Sequence, residues 1–265
     1  VFIAAAKAGT VAATALIKTN ARTAAIARIR IATVVAVLIL WEGMARSGWL
    51  YEGVVPPLTA VAAAFAQLLV TAATYRHLAV TGWEIAAGFV IGLAAGVAAG
   101  VVMGVRRFFG RAIAPYLDGL ATAPKIIFLP IVMLMFGVGV ESKIALGTLS
   151  AFFPVVLNTA AGMRQINPVW IRVGRSFRLT AWQMTRRIYL PALARSLAIS
   201  MRLGLGVAII GVLLAEIKLA DSGLGFLAIE HYNHFRIPEM YALLLFIFIL
   251  AIGANLLISR LLPGH

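Results

Sequence analysis

The sequence contains no cysteine, which excludes disulfides, thiolate metal sites and cysteine nucleophiles. Acidic residues are also scarce: nine Asp and Glu stand against 23 Lys and Arg. No phosphate-cradling Gly-x-x-x-x-Gly-Lys-Ser/Thr stretch occurs, so the chain is not expected to hydrolyse ATP itself. His-Glu-x-x-His and Gly-x-Ser-x-Gly are missing as well, which removes two hydrolase signatures. Ten-residue stretches of alternating hydrophobicity are not seen, which argues against a membrane barrel.

Apolar residues are abundant instead. The 265 residues are 62% hydrophobic with a mean hydropathy of +0.99, against roughly 45–50% apolar for soluble domains. Runs of about 20 apolar residues recur. An open sheet in lipid would leave backbone groups unpaired, so the expected fold is all-α, a polytopic transmembrane helical bundle. Six spans are expected: 27–45, 77–105, 113–138, 143–163, 196–216 and 239–260. A basic segment over residues 1–26 precedes them, suited to a tail or an interfacial helix on anionic lipid. The remainder, 27–265, reads as one integrated membrane domain with a polar segment over about 164–195.

The net charge of +14 could suggest nucleic acid, but its distribution argues against that partner. Between the expected spans, most Lys and Arg fall on one side, and only Arg46, Arg76, Lys143, Lys218 and Arg236 fall on the other. This asymmetry predicts both termini in the cytoplasm and a lipid bilayer as the partner.

Three features inside the spans stand out. Gly88, Gly92, Gly96, Gly100 and Gly104 repeat every four residues and form a bare stripe for close helix packing, within the subunit or between subunits. Pro115, Pro124 and Pro130 interrupt the third span, which should be kinked or partly unwound. Glu84, Asp118, Lys125 and Arg202 lie at or within spans, where charges face protein or a water-filled cavity. Lys125 has two readings: it caps carbonyls freed by Pro124 or neutralises Asp118, or it attracts an anionic solute. Pairing is the simpler assignment for Glu84 and Asp118. In the outer loop expected over 217–238, His231 and His234 lack a clear third metal ligand.

The most telling stretch is the arginine-rich segment Trp170–Pro191, WIRVGRSFRLTAWQMTRRIYLP, between two apolar spans. It resembles the loop of bacterial ATP-binding-cassette importer permeases, whose motif runs Glu-Ala-Ala, three residues, Gly, nine residues, Ile-x-Leu-Pro. With Ile188, Leu190 and Pro191 in register, Arg172, Val173 and Gly174 take the Glu-Ala-Ala positions and Arg178 takes the glycine. The second half, around Ala181, Trp182 and Gln183, matches well, while Arg172 and Arg178 depart. Val54–Pro57, Ala123–Pro130, Phe152–Thr159 and Met201–Glu216 look like the nitrate, sulfonate and taurine branch, which includes bicarbonate systems.

The resemblance implies a type I importer permease. It further implies a solute path through a homodimer or related heterodimer, cassette ATPase subunits that use ATP and Mg, and a periplasmic solute-binding protein. The chain itself would bind no cofactor or metal and would sit in the bacterial inner membrane. The segment would form a coupling helix on the ATPase, with Phe177, Ala181, Trp182 and Met184 apolar and Arg172, Arg175, Arg186 and Arg187 orienting. Trp182 is the expected anchor. At Arg178, either the local turn differs or the ATPase supplies compensating acidic groups. Pro124, Lys125 and Pro130 are expected along the translocation path of a small anion. The rival readings are an ion-gradient-driven secondary transporter, for which no inverted repeat is seen, and an integral membrane enzyme.

Overall fold

The computed structural model describes residues 25–48 and 54–261, and no strand occurs among them. Most of the expected basic segment 1–26 lies outside the described residues. Contacts divide the chain into two units, Val1–Ala63 and Ala64–His265.

In the first unit, residues 25–46 form helix α1, coincident with the first expected span. At its end Glu42 pairs with Arg46 at 2.6 Å and accepts the backbone N–H of Leu58 at 2.8 Å. Leu58 opens α2 (Leu58–Val70), so a carboxylate sits at the positive end of that helix. Trp41 Nε1 donates to the carbonyl of Pro56 at 3.0 Å, a second bond from the end of α1 to the residues before α2.

The second unit is built on α3 (Ala72–Val105), α6 (Val140–Gln165) and α10 (Ala194–Leu219). The glycine stripe of α3 faces α6. A Cβ at Gly92 would meet Thr148 O at 2.7 Å, and one at Gly100 would meet Thr159 Cβ at 2.6 Å. The stripe is therefore an internal packing face. By length and composition, four helices among the described residues can cross a membrane by themselves, fewer than the six spans expected: α3, α6, α10 and α12 (Ile237–Leu261). A bent pair brings the number to five if it is one span.

That pair is the expected third span. Its first half, α4, covers Arg107–Thr122, and its second runs through a 3-10 turn at Lys125–Phe128 into α5 (Leu129–Phe136), turned by 97°. Of the three prolines only Pro124 marks the break. It holds Ala123 extended (φ −63°, ψ 137°), the conformation that a following proline favours. Pro115 is carried inside α4, and Pro130 lies in the first turn of α5, where its missing N–H is not needed.

The stretch expected as an outer loop contains a helix, α11 (Leu224–Asn233). Its first N–H groups are held from a distance in sequence. Gly223 N donates to His77 Nδ1 at 3.0 Å, Leu224 N to Thr81 Oγ1 at 2.8 Å, and Gly225 N to Glu216 Oε2 at 2.6 Å.

Candidate functional site

The segment between α6 and α10 is a chain of short helices whose boundaries follow from local chemistry. Asn167 caps α7 (Pro168–Ser176) by accepting Val169 N at 2.9 Å, and Pro168 fits the first turn. Leu179 N returns to Gly174 O at 3.1 Å and Arg178 N to Arg175 O at 2.9 Å, a Schellman ending. Thr180 and Gln183 then form a reciprocal capping box that starts α8 (Ala181–Met184). A π turn at Thr185–Tyr189 and a last turn, α9 (Leu190–Ala192), lead into α10.

Arg178 stands at the C′ position of the Schellman ending with φ +50°. The turn is thus the one a glycine would make, and of the two explanations for the arginine an altered turn is removed. Left-handed backbone strains a residue with a Cβ by roughly 1–2 kcal/mol.

One side of the segment is anchored. Met163, Ile166, Met184, Tyr189 and Leu193 form a buried cluster with Ile171 and Ile188 against it. Gly174 is buried, and a Cβ there would run into Ile188 Cδ1 and Met184 Sδ. Met184, expected on the outward face, points inward. Ile188 and Leu190 are half-buried, and Gln183 serves the capping box.

The other side is open. Phe177 is 76% exposed and Trp182 70%, with Val173, Ala181 and Pro191 also exposed. Arg172, Arg175, Arg178, Arg186 and Arg187 are exposed around them. The only ion pair among the described residues is Arg46–Glu42, so none of these guanidiniums meets a carboxylate. A surface with two bare aromatic rings and five cations can receive an acidic partner with an apolar groove.

At the bend, Lys125 Nζ donates to Leu120 O at 2.9 Å, Ala121 O at 2.8 Å and Ala123 O at 2.7 Å, and lies 5.0 Å from the Phe153 ring centroid. All three ammonium protons are taken by carbonyls that the break frees. Lys125 makes no ion pair with Asp118, which is exposed, because the helix does not continue between them. Pro124 and Pro130 are exposed at the corner. Arg202 is exposed on α10.

Glu84 is fully buried and, among the described residues, has no ion pair, contrary to the expected pairing, and no hydrogen-bond partner at either carboxylate oxygen. It lies with Glu216, Thr81 and Lys143, all buried. Glu216 and Thr81 went unnoticed in the sequence because their partners are far away along the chain.

Residues 88–263 match the family described as binding-protein-dependent transport system inner membrane component. A permease of Escherichia coli (strain K12) named for aliphatic sulfonates transport is 33% identical over 196 residues, 74% of each chain. The taurine transport system permease protein of the same organism is 29% identical, over 57% of this chain and 56% of its own. Among solved structures, an inward-facing form of the MetNI methionine ABC transporter aligns with a TM-score of 0.60 at 23% identity. That alignment covers 74% of this chain and 95% of the other.

Proposed function

The chain belongs to the binding-protein-dependent transport inner membrane family, and from that premise we propose that it is the subunit that carries a small oxyanion across the inner membrane and is driven by docked ATPases. As the permease component of an importer of the ATP-binding-cassette type, in the sulfonate, nitrate and taurine branch, it needs an external source of energy. The open face of α7 and α8 receives the ATPase. The observation that carries this reading is the exposure of Phe177 and Trp182 on a segment whose opposite side is locked into the bundle. A rigidly backed aromatic pair is what an interface anchor requires. Arg172, Arg175, Arg186 and Arg187 set the orientation on an acidic groove rim.

Both termini lie on the ATPase side, in keeping with the charge asymmetry. A second permease copy and a periplasmic binding protein complete the machine. The path runs beside the bent span at Pro124, Lys125 and Pro130, where non-helical backbone is tolerated only against protein or a water-filled cavity. The solute class is supported by the sulfonate and taurine names of two relatives.

The test is co-purification of the chain with its cognate ATPase from native membranes. Trp182→Ala and Phe177→Ala are each expected to weaken association by roughly 30-fold. Sulfonate, nitrate or taurine, presented by the binding protein, should stimulate ATP hydrolysis in vesicles. Unchanged association and transport in both variants would reject the docking face. Transport that persists without any ATPase would reject the importer.

A further inference from the structure

A second concentration of positive charge lies outside the docking face. Arg107, Arg111 and Arg164 line one cavity of about 320 Å³ together with Met103, Gly104 and Gly110. Arg107 and Arg111 are four residues apart on α4 and so share a face, while Arg164 comes from the last turn of α6. Two glycines make the convergence possible. A Cβ on Gly104 would clash with Met163, and one on Gly110 would clash with the carbonyl of Met103.

Nothing among the described residues neutralises this cluster. No carboxylate lines the cavity, and none of the three arginines has an ion pair or a side-chain hydrogen bond. The positive end of α4, a helix of 16 residues, lies at the same place, with no acidic residue in its first turn and no side-chain cap. Like charges at this spacing repel, and the helix end adds to the field. All three arginines are exposed, so one anion from outside can reach them together.

The surroundings favour lipid as its source. The cavity sits where the apolar helices α3 and α6 end. Beside it Phe108 is 84% exposed and Val105 half exposed. The geometry points to a site for the phosphate of an anionic phospholipid, held by Arg107, Arg111 and Arg164, with acyl chains lying along Val105 and Phe108. Guanidinium forks match phosphate oxygens in pairs, and basic pockets at the ends of membrane helices suit such headgroups.

Native mass spectrometry of the full chain in detergent tests this, with phosphatidylglycerol, cardiolipin or phosphatidylcholine titrated in. The anionic lipids are expected to be retained in preference to phosphatidylcholine. Affinity should fall roughly fivefold for each arginine changed to Gln. Arg260→Gln, on α12 and not among the residues that line the cavity, should leave retention unchanged. If the triple variant does not fold, Arg164→Gln alone supplies the measurement. Equal retention of all three lipids, or full retention in Arg164→Gln and the triple variant, would overturn the proposal. Displacement of phosphatidylglycerol by millimolar inorganic phosphate would also overturn it, assigning the cavity to a soluble oxyanion.

Discussion

Thr81 on α3 donates its hydroxyl to Oε1 of Glu216 on α10 at 2.6 Å, across 135 positions of sequence. The same threonine oxygen accepts Leu224 N, and the other carboxylate oxygen accepts Gly225 N. Two membrane helices therefore share the work of starting a third. Because the whole cluster is buried, each donor depends on these acceptors rather than on water.

Glu216→Ala strands the Thr81 hydroxyl and the Gly225 N–H in a buried site. An unsatisfied buried donor costs about 1–3 kcal/mol, so the expected loss of stability is about 3 kcal/mol. Glu216→Gln keeps one good acceptor and should lose less than half as much. Thermal unfolding of the two variants in detergent checks the order; equal losses would mean that the side-chain shape, not the hydrogen bonds, matters.

Gly100→Ala and Gly82→Ala make a matched pair on α3. A Cβ at Gly100 meets Thr159 and the Val156 carbonyl at 2.8 Å, whereas one at Gly82 meets nothing within 4 Å. Overpacking at the first site is expected to destabilise by about 1–3 kcal/mol. The second should be neutral or gain up to about 1 kcal/mol from helix propensity. Similar melting temperatures for both variants would contradict the packing assigned to the stripe.

Arg178→Gly should tighten the turn after α7. It removes the strain of a left-handed arginine and is expected to stabilise the local structure by about 1 kcal/mol. Arg178→Lys keeps both charge and strain and serves as the control. Amide exchange at Phe177–Thr180 is the readout, and the glycine variant should exchange more slowly than the lysine variant.

His231 on α11 gives a pH dependence of defined sign. Burial holds its imidazole below the ordinary 6.5, against the opposing pull of Glu239 and Glu230. Between that lowered value and 6.5 the unfolded chain binds more protons than the folded one, so stability rises with pH across the window. The contribution is complete above the ordinary value and is lost as pH falls below it. Melting curves from about pH 5 to about pH 7.5 should show a shallower slope for His231→Gln than for the native chain. Parallel slopes would assign the dependence to another group.

Lys125→Met leaves three carbonyls at the bend without their shared donor. Hydrogen bonds to charged groups contribute about 1.5–3 kcal/mol, and a loss in that range is expected. If transport falls while thermal stability is unchanged, Lys125 serves the solute rather than the corner.

The long helices were legible because their signals are local: apolar runs, glycines every fourth residue, and prolines. The same holds for the joints of the segment between α6 and α10, where Asn167–Pro168 and the Thr180–Gln183 box begin helices through near neighbours. What escaped reading depends on distant partners. The start of α11 needs His77, Thr81 and Glu216, more than a hundred positions away in two of three cases, so residues 217–238 looked like loop. Met184 looked outward because nothing in its own neighbourhood announces the Met163–Leu193 cluster behind it. Of the two structural roles read for Lys125, pairing with Asp118 fails because one proline turns the chain between them, while capping of the freed carbonyls is present.

The glycine stripe restricts how α3 and α6 can move. A slip by one residue would carry Phe89, Leu93, Val97 and Val101 into the place of Gly88, Gly92, Gly96 and Gly100, where the backbone of α6 and its Ala151, Val155 and Thr159 side chains leave no room. The next register that fits is four residues away, a jump of about 6 Å at 1.5 Å per residue. Sliding is thus quantised, and the pair behaves as a welded beam. Conformational freedom is left to the parts hung from it: the corner at Pro124 and the helix that three borrowed acceptors hold in place.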